Sequence, residues 1–388
     1  MNRIQEIIND AVSKQYISGA SCLIHQNGQE QGYWSAGTAV KETGKIFSRD
    51  TICRMYSMSK PVTSVAVMML IEEGKIDLMD DVAKFIPEFS NPEYCAENGR
   101  IVPSTRPVTI QDLLNMTSGL TYGGSPDENG KQTTALIENV KARINSEDPV
   151  TTKEFARRLG KIPLAFEPGT DYQYGLSADV LGEVVETVSG INFGEFLKTR
   201  IFDPLGMKDT GFYVPEEKQS RLAQVYQHIS PSELTVYTAP NLGIQHNMRR
   251  PPAYEAGGAG LVSTIDDYMN FTRMLLQNGS LKNAHILQSR TINSMRSAHL
   301  SQKLQQSFES KMPHLSGYTY ANLLRIMTDP GQSKSFGEAG EYGWDGWLGT
   351  FMMVDPGNNL AMVFFTQLTD TGMSTTVRRI KNVVYSAL

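Results

Sequence analysis

Two hairpin signals lie at opposite ends of this chain, and they constrain the fold more than any other feature. Near the start, Ala20-Ser21-Cys22-Leu23-Ile24-His25 and Gly32-Tyr33-Trp34-Ser35-Ala36 flank Asn27-Gly28. Asn-Gly accepts the positive φ that a two-residue hairpin turn demands. Near the end, Gly349 to Asp355 and Leu360 to Phe365 flank Pro356-Gly357-Asn358-Asn359. Each hairpin has a helical companion: Ile4, Ile7, Ile8, Ala11 and Val12 before the first, and Val377, Ile380, Val384 and Leu388 after the second, all near a 3.6-residue period. The economical outcome is one antiparallel sheet built from both ends, with the terminal helices packed on it.

Between the ends the pattern changes. From about Val62 to Phe202 the apolar spacing is mostly helical, as at Val108 to Met116, Thr151 to Leu159 and Asp179 to Val188. Residues 205–335 are less regular. They contain Gly257-Gly258 within a Gly-rich run, then Ser263-Thr264-Ile265-Asp266-Asp267, which reads as a helix N-cap with an acidic first turn. The glycines match neither phosphate-loop spacing and are expected to form a tight turn.

The 388 residues carry 40% hydrophobic and 20% charged side chains with a net charge of -5, which argues against a nucleic-acid binder. Neither of the longest apolar runs, Val65 to Ile71 and Leu360 to Phe365, approaches the ~20 residues that span a bilayer. The N-terminus lacks a signal-peptide core, so a cytoplasmic location is expected, away from membranes. Cys22, Cys53 and Cys95 are scattered, which suggests reduced thiols. The six histidines form no ligand pattern, and neither metal nor cofactor is expected.

The chemistry is carried by Ser57-Met58-Ser59-Lys60, which runs directly into the apolar stretch from Val65. On a helix starting near Ser57, positions i and i+3 share a face, so the Lys60 amine can reach the Ser57 hydroxyl. A buried amine of lowered pKa can take that proton and turn a weak nucleophile into an effective one. Alone, the spacing also fits an N-cap serine followed by a solvated lysine. No Gly-x-Ser-x-Gly elbow occurs, which argues against an α/β-hydrolase.

Three segments in order give the context: Ser57-Met58-Ser59-Lys60, then Pro168 to Gly182 around Tyr174-Gly175-Leu176, then Tyr342-Gly343-Trp344-Asp345-Gly346-Trp347-Leu348-Gly349-Thr350. With Thr109 to Leu114, Thr117 to Leu120 and Gly258 to Thr264 between them, they resemble the serine β-lactamase and penicillin-binding-protein-like superfamily. Within it they look like the family VIII carboxylesterases, close to class C β-lactamases. The resemblance implies an α+β, two-lobed β-lactamase-like fold. Residues 1–60 and 205–388 would form the lobe with the antiparallel sheet, residues 61–204 a mostly helical lobe, and the site would lie between them.

The resemblance also implies roles. Ser57 would attack the acyl carbonyl, and Tyr174 would take and return the proton, its phenolate stabilised by the Lys60 ammonium. The amides of Ser57 and Trp347 would form an oxyanion hole. Trp344, Asp345 and Gly346 fall where β-lactamases carry Lys-Thr-Gly, on what is expected to be an edge strand facing the cleft. Gly346 would let substrate approach the backbone. Two departures bear on substrate: the lysine that holds a β-lactam carboxylate is Trp344 here, and the amide-binding asparagine is Leu176. Both favour neutral, apolar acyl esters, with Trp344 as an acyl wall. Tyr122, the loop from Leu120 to Asn129 and the stretch Thr235 to Tyr254 are expected to shape the pocket. The expected activity is a carboxylesterase, with acyl transfer as an extension and a small acyl ester as substrate; neither nucleic acid nor membrane is an expected partner. A β-lactamase, a D-amino-acid-specific peptidase and a catalytically silent binding protein on the same scaffold remain alternatives.

Overall fold

A computed structural model describes residues 2–388. The first helix, α1 (Asn2–Ser13), leads into strands β1 (Gly19–Gln26), β2 (Gln29–Val40) and β3 (Lys45–Ile46). Five further strands come late in the chain: β4 (Tyr318–Ala321), β5 (Leu324–Met327), β6 (Tyr342–Asp345), β7 (Phe351–Asp355) and β8 (Leu360–Phe365). They make one eight-stranded antiparallel sheet in the order β4-β5-β6-β7-β8-β1-β2-β3. The two ends of the chain meet where β8 pairs with β1, with Ser21 opposite Phe365 and Gln26 opposite Leu360. Both expected hairpins form, the first around Asn27 and Gly28 at φ 52° and 78°.

The helices used below are α2 (Ser59–Glu72), α3 (Ile110–Asn115), α4 (Glu128–Arg143), α5 (Thr152–Leu159), α6 (Ser177–Ser189), α7 (Ile265–Leu276) and α8 (Thr375–Tyr385). Thr264 caps α7 by accepting from the Asp267 N–H, and Gly257 and Gly258 lie in a turn, as their sequence suggests. The helical middle also contains a short ribbon, Glu93–Cys95 with Ile101–Pro103.

Strand alternation assigns the sheet's two faces. Met352 pairs across from Trp344, and its sulfur meets the Thr272 hydroxyl of α7. Asp355, of opposite parity on β7, accepts from Tyr385 of α8. So α7 covers the face that carries Trp344, and α8 covers the other. One expectation is corrected: β6 is an inner strand, flanked by β5 and β7. Its pairing with β5 ends at Gly343, so Trp344 and Asp345 extend past that neighbour. Among the described residues, no helix is long and apolar enough to cross a membrane.

Candidate active site

Ser57 sits in a 3-10 turn, Tyr56–Met58, that runs straight into α2. The preceding residue pays a conformational cost. Tyr56 holds φ 44°, a left-handed conformation that tyrosine rarely adopts. Packing fixes it there: its ring is buried, its hydroxyl lies 2.6 Å from His246 Nε2, and the Trp347 ring lies 4.9 Å away. The resulting bend leaves Ser57 partly exposed at the head of a buried helix.

Lys60, one turn on, is fully buried. Its Nζ lies 3.2 Å from Ser57 Oγ, 2.9 Å from the Tyr122 hydroxyl and 2.8 Å from the Gly258 carbonyl. It also stands 4.6 Å from the centre of the Tyr174 ring. No carboxylate lies within ion-pair distance of it among the described residues. Burial therefore dominates and pulls the amine down to about 7, against the opposing fields of Asp179 and Asp345. The Tyr174 phenol goes the other way. Burial pushes it above its ordinary value, although the Ser57 and Trp344 side chains favour its ionised form. Burial also raises Tyr122 well above its ordinary value. Burial thus draws the Lys60 amine toward neutral pH and moves both phenols away from it.

The structure brings Ser57, Lys60 and Tyr174 together and adds Tyr122 to them, in direct contact with the amine. Tyr174 accepts a 2.9 Å hydrogen bond from Trp344 Nε1, and its ring meets the Tyr122 ring edge-on at 5.8 Å. Glycine at 175 makes this convergence possible, because a Cβ there would strike the Leu120 carbonyl of the Tyr122 loop. Sequence reasoning missed the support behind Lys60. Asp179 of α6 accepts from Tyr254 at 2.7 Å and from the Gly258 N–H at 3.3 Å. A Cβ on Gly258 would crowd Asp179 at 2.7 Å and Lys60 Nζ at 3.3 Å. The Gly257-Gly258 pair was the visible trace of that close approach.

Two backbone donors remain unspent, one at Ser57 itself and one at Trp347, whose ring packs on Tyr56. The N–H groups of Ser57 and Trp347 engage no acceptor among the described residues. The Trp347 indole is anchored by a 2.7 Å bond to Asp370. Unspent N–H groups are what a developing oxyanion requires.

Other expected site residues need correction. Trp344 is only 4% exposed and lies beneath Tyr174 and Tyr320, so it supports the pocket wall without forming it. Asp345 faces the opposite side of β6, where its carboxylate pairs with buried Arg325 at 3.0 Å. Leu176 is buried in the core at the start of α6. Gly346 is needed because a side chain there would collide with the Met55 carbonyl and Thr350, whatever a substrate does. Tyr122, Tyr174, Trp347 and Tyr237 are partly exposed, as is Asp345.

Residues 4–384 match the family model described as Beta-lactamase. The chain belongs to the beta-lactamase family. Among similar members of that family, Protein Rv1367c of Mycobacterium tuberculosis is 30% identical, over 94% of this chain and 89% of its own. Esterase EstB of Burkholderia gladioli is 26% identical, over 96% of this chain and 91% of its own. The solved structure of EstCE1, described as a hydrolase with promiscuous acyltransferase activity, superposes with a TM-score of 0.84 at 27% identity, covering 99% of this chain and 98% of that one. The fold is accordingly the α+β beta-lactamase-like one, and the named relatives place the chain beside the family VIII esterases.

Proposed function

We propose that the protein is a serine carboxylesterase that cleaves small neutral acyl esters through an acyl-enzyme on Ser57. The observation that carries this reading is the unpaired, buried Lys60 amine 3.2 Å from the Ser57 hydroxyl. The neutral amine takes the hydroxyl proton as Oγ bonds to the acyl carbon, and the carbonyl electron pair moves onto oxygen. The Ser57 and Trp347 N–H groups receive that oxyanion, at about 3 kcal/mol of transition-state stabilisation each. Collapse expels the alkoxide, which takes the proton from the Lys60 ammonium, directly or across the neighbouring phenols. Water then repeats the steps and frees Ser57.

The substrate class follows from what the pocket lacks. With tryptophan at 344 there is no cation on β6 to hold a carboxylate, and the indole N–H is already spent on Tyr174. The partly exposed walls are aromatic, which suits an apolar acyl group. The esterase relatives support the same class, and the acyltransferase activity in EstCE1's description supports transfer to an alcohol as a second outcome of the same intermediate. Turnover of p-nitrophenyl acetate and butyrate should vanish in Ser57→Ala while the circular dichroism spectrum is kept. Retained turnover in that variant, or faster hydrolysis of a chromogenic cephalosporin than of either ester, would overturn the proposal.

A further inference from the structure

Four cationic side chains are buried in the described residues: Arg54, Lys60, Arg325 and Lys381. Arg325 is paired with Asp345 at 3.0 Å and Lys381 with Glu341 at 2.7 Å. Lys60 belongs to the site above. Arg54 alone has neither a carboxylate partner nor a part in that chemistry. Its Nη1 donates to the Ala223 carbonyl at 2.6 Å and its Nη2 to the His246 carbonyl. Both acceptors are neutral, and Nε has no partner. Its backbone is clamped by Gln367, which accepts from the Arg54 N–H at 2.9 Å and donates to its carbonyl at 3.0 Å. The guanidinium is held in place with its charge uncompensated, a costly arrangement unless something anionic completes it.

Arg54 lines a cavity of about 460 Å³, within the range of small-molecule sites. The other polar lining includes Arg249, His246, Gln219, Gln224 and Gln245, and no aspartate or glutamate lines it. We propose that this cavity binds a small molecule bearing a carboxylate, held by the Arg54 guanidinium with Arg249 at the rim. A carboxylate supplies the missing negative charge and can accept from the Nη–H groups that remain, since each of these nitrogens carries two and spends one, whereas Nε is shut off from solvent. The site is separate from the Ser57 centre but touches its wall. His246 and Tyr237 line the cavity, and their rings lie 6.5 and 5.5 Å from that of Trp347. Occupancy is therefore reported by an indole beside the nucleophile, whether or not the protein hydrolyses esters.

Isothermal calorimetry with sodium succinate, at an ionic strength fixed with sodium chloride, tests this in the full chain. The expected result is saturable binding with a dissociation constant of about 1 mM or tighter. Arg249 is exposed, so Arg249→Glu should keep the fold and weaken binding at least about tenfold through charge reversal. Arg54→Gln should abolish binding; if it does not fold, Arg249→Glu decides alone. Tryptophan emission should change along the same isotherm, and that change should be lost in Trp347→Phe. Absence of saturable heat, unaltered affinity in Arg249→Glu, or tighter binding of inorganic phosphate than of succinate would each overturn the proposal.

Discussion

At the scale of single residues, the site turns on how Lys60 divides its contacts. Its amine meets Ser57, Tyr122 and the Gly258 carbonyl, and its charge is opposed chiefly by burial. The proposed mechanism takes the neutral amine as the reactive form, so activity should rise as the proton is lost. On the acid side, kcat/KM for p-nitrophenyl acetate should climb through a limb near pH 7 and level off above it. An unperturbed lysine would place that limb near ~10.4, so a pH-rate profile separates the two. Lys60→Arg keeps a permanent charge and should lower kcat/KM about a thousandfold at every accessible pH. Tyr122 adds a second test. Its hydroxyl accepts from Nζ, so Tyr122→Phe removes support from the ammonium. The acid limb should move to lower pH and kcat should fall about tenfold. A limb that stays in place would mean that the phenol only packs against the amine.

Among the elements, α3 does more than its six residues suggest. Thr109 accepts from the Asp112 N–H, and Asp112 accepts in return from the Thr109 N–H, closing a capping box. Asp112 also takes the Arg106 guanidinium at 2.7 Å and the Thr117 hydroxyl at 3.1 Å. Just past the helix, the Met116 and Thr117 carbonyls accept from the Gln173 and Gly169 N–H groups. One capped turn thus anchors both the loop that presents Tyr122 and the one that presents Tyr174. Asp112→Ala should cost about 2 kcal/mol in denaturant unfolding and lower kcat as well, since both phenols lose their footing. Much of this level was legible in the sequence, because hairpin turns and helix caps are local signals. Strands β4 and β5 were not. All eight of their residues are buried, so no alternation marks them. Their turn is Asn322-Leu323, with both residues at positive φ, and leucine gives no hint of such a turn. The meeting of Ser57, Lys60 and Tyr174 was legible through motif order. The contact of Tyr122 with Lys60, the burial of Leu176 and the turning of Asp345 toward Arg325 depend on tertiary packing that spacing does not encode.

For the molecule as a whole, the site is assembled from segments spread between residues 57 and 347, so it exists only once the two ends of the chain have closed the sheet. A buried network secures that closure on the face opposite the nucleophile. Glu341, just before β6, accepts from Lys381 of α8 at 2.7 Å and from Tyr318 of β4 at 3.1 Å. The Tyr385 hydroxyl lies 2.9 Å from Glu341 and 2.8 Å from Asp355 of β7. Lys381 and Glu341 are both fully buried, so removing one partner strands the other's charge away from water. Lys381→Met should therefore cost about 3–5 kcal/mol in denaturant unfolding. Adding Glu341→Gln removes the stranded charge and should recover part of that loss, which a charge-independent packing defect would not allow. Neither side chain faces the Ser57 side of the sheet. Ester turnover per folded molecule should stay unchanged below the melting transition in both variants. A drop in kcat that tracks the stability loss would instead mean that closure of the sheet sets the geometry of the nucleophile as well as its survival.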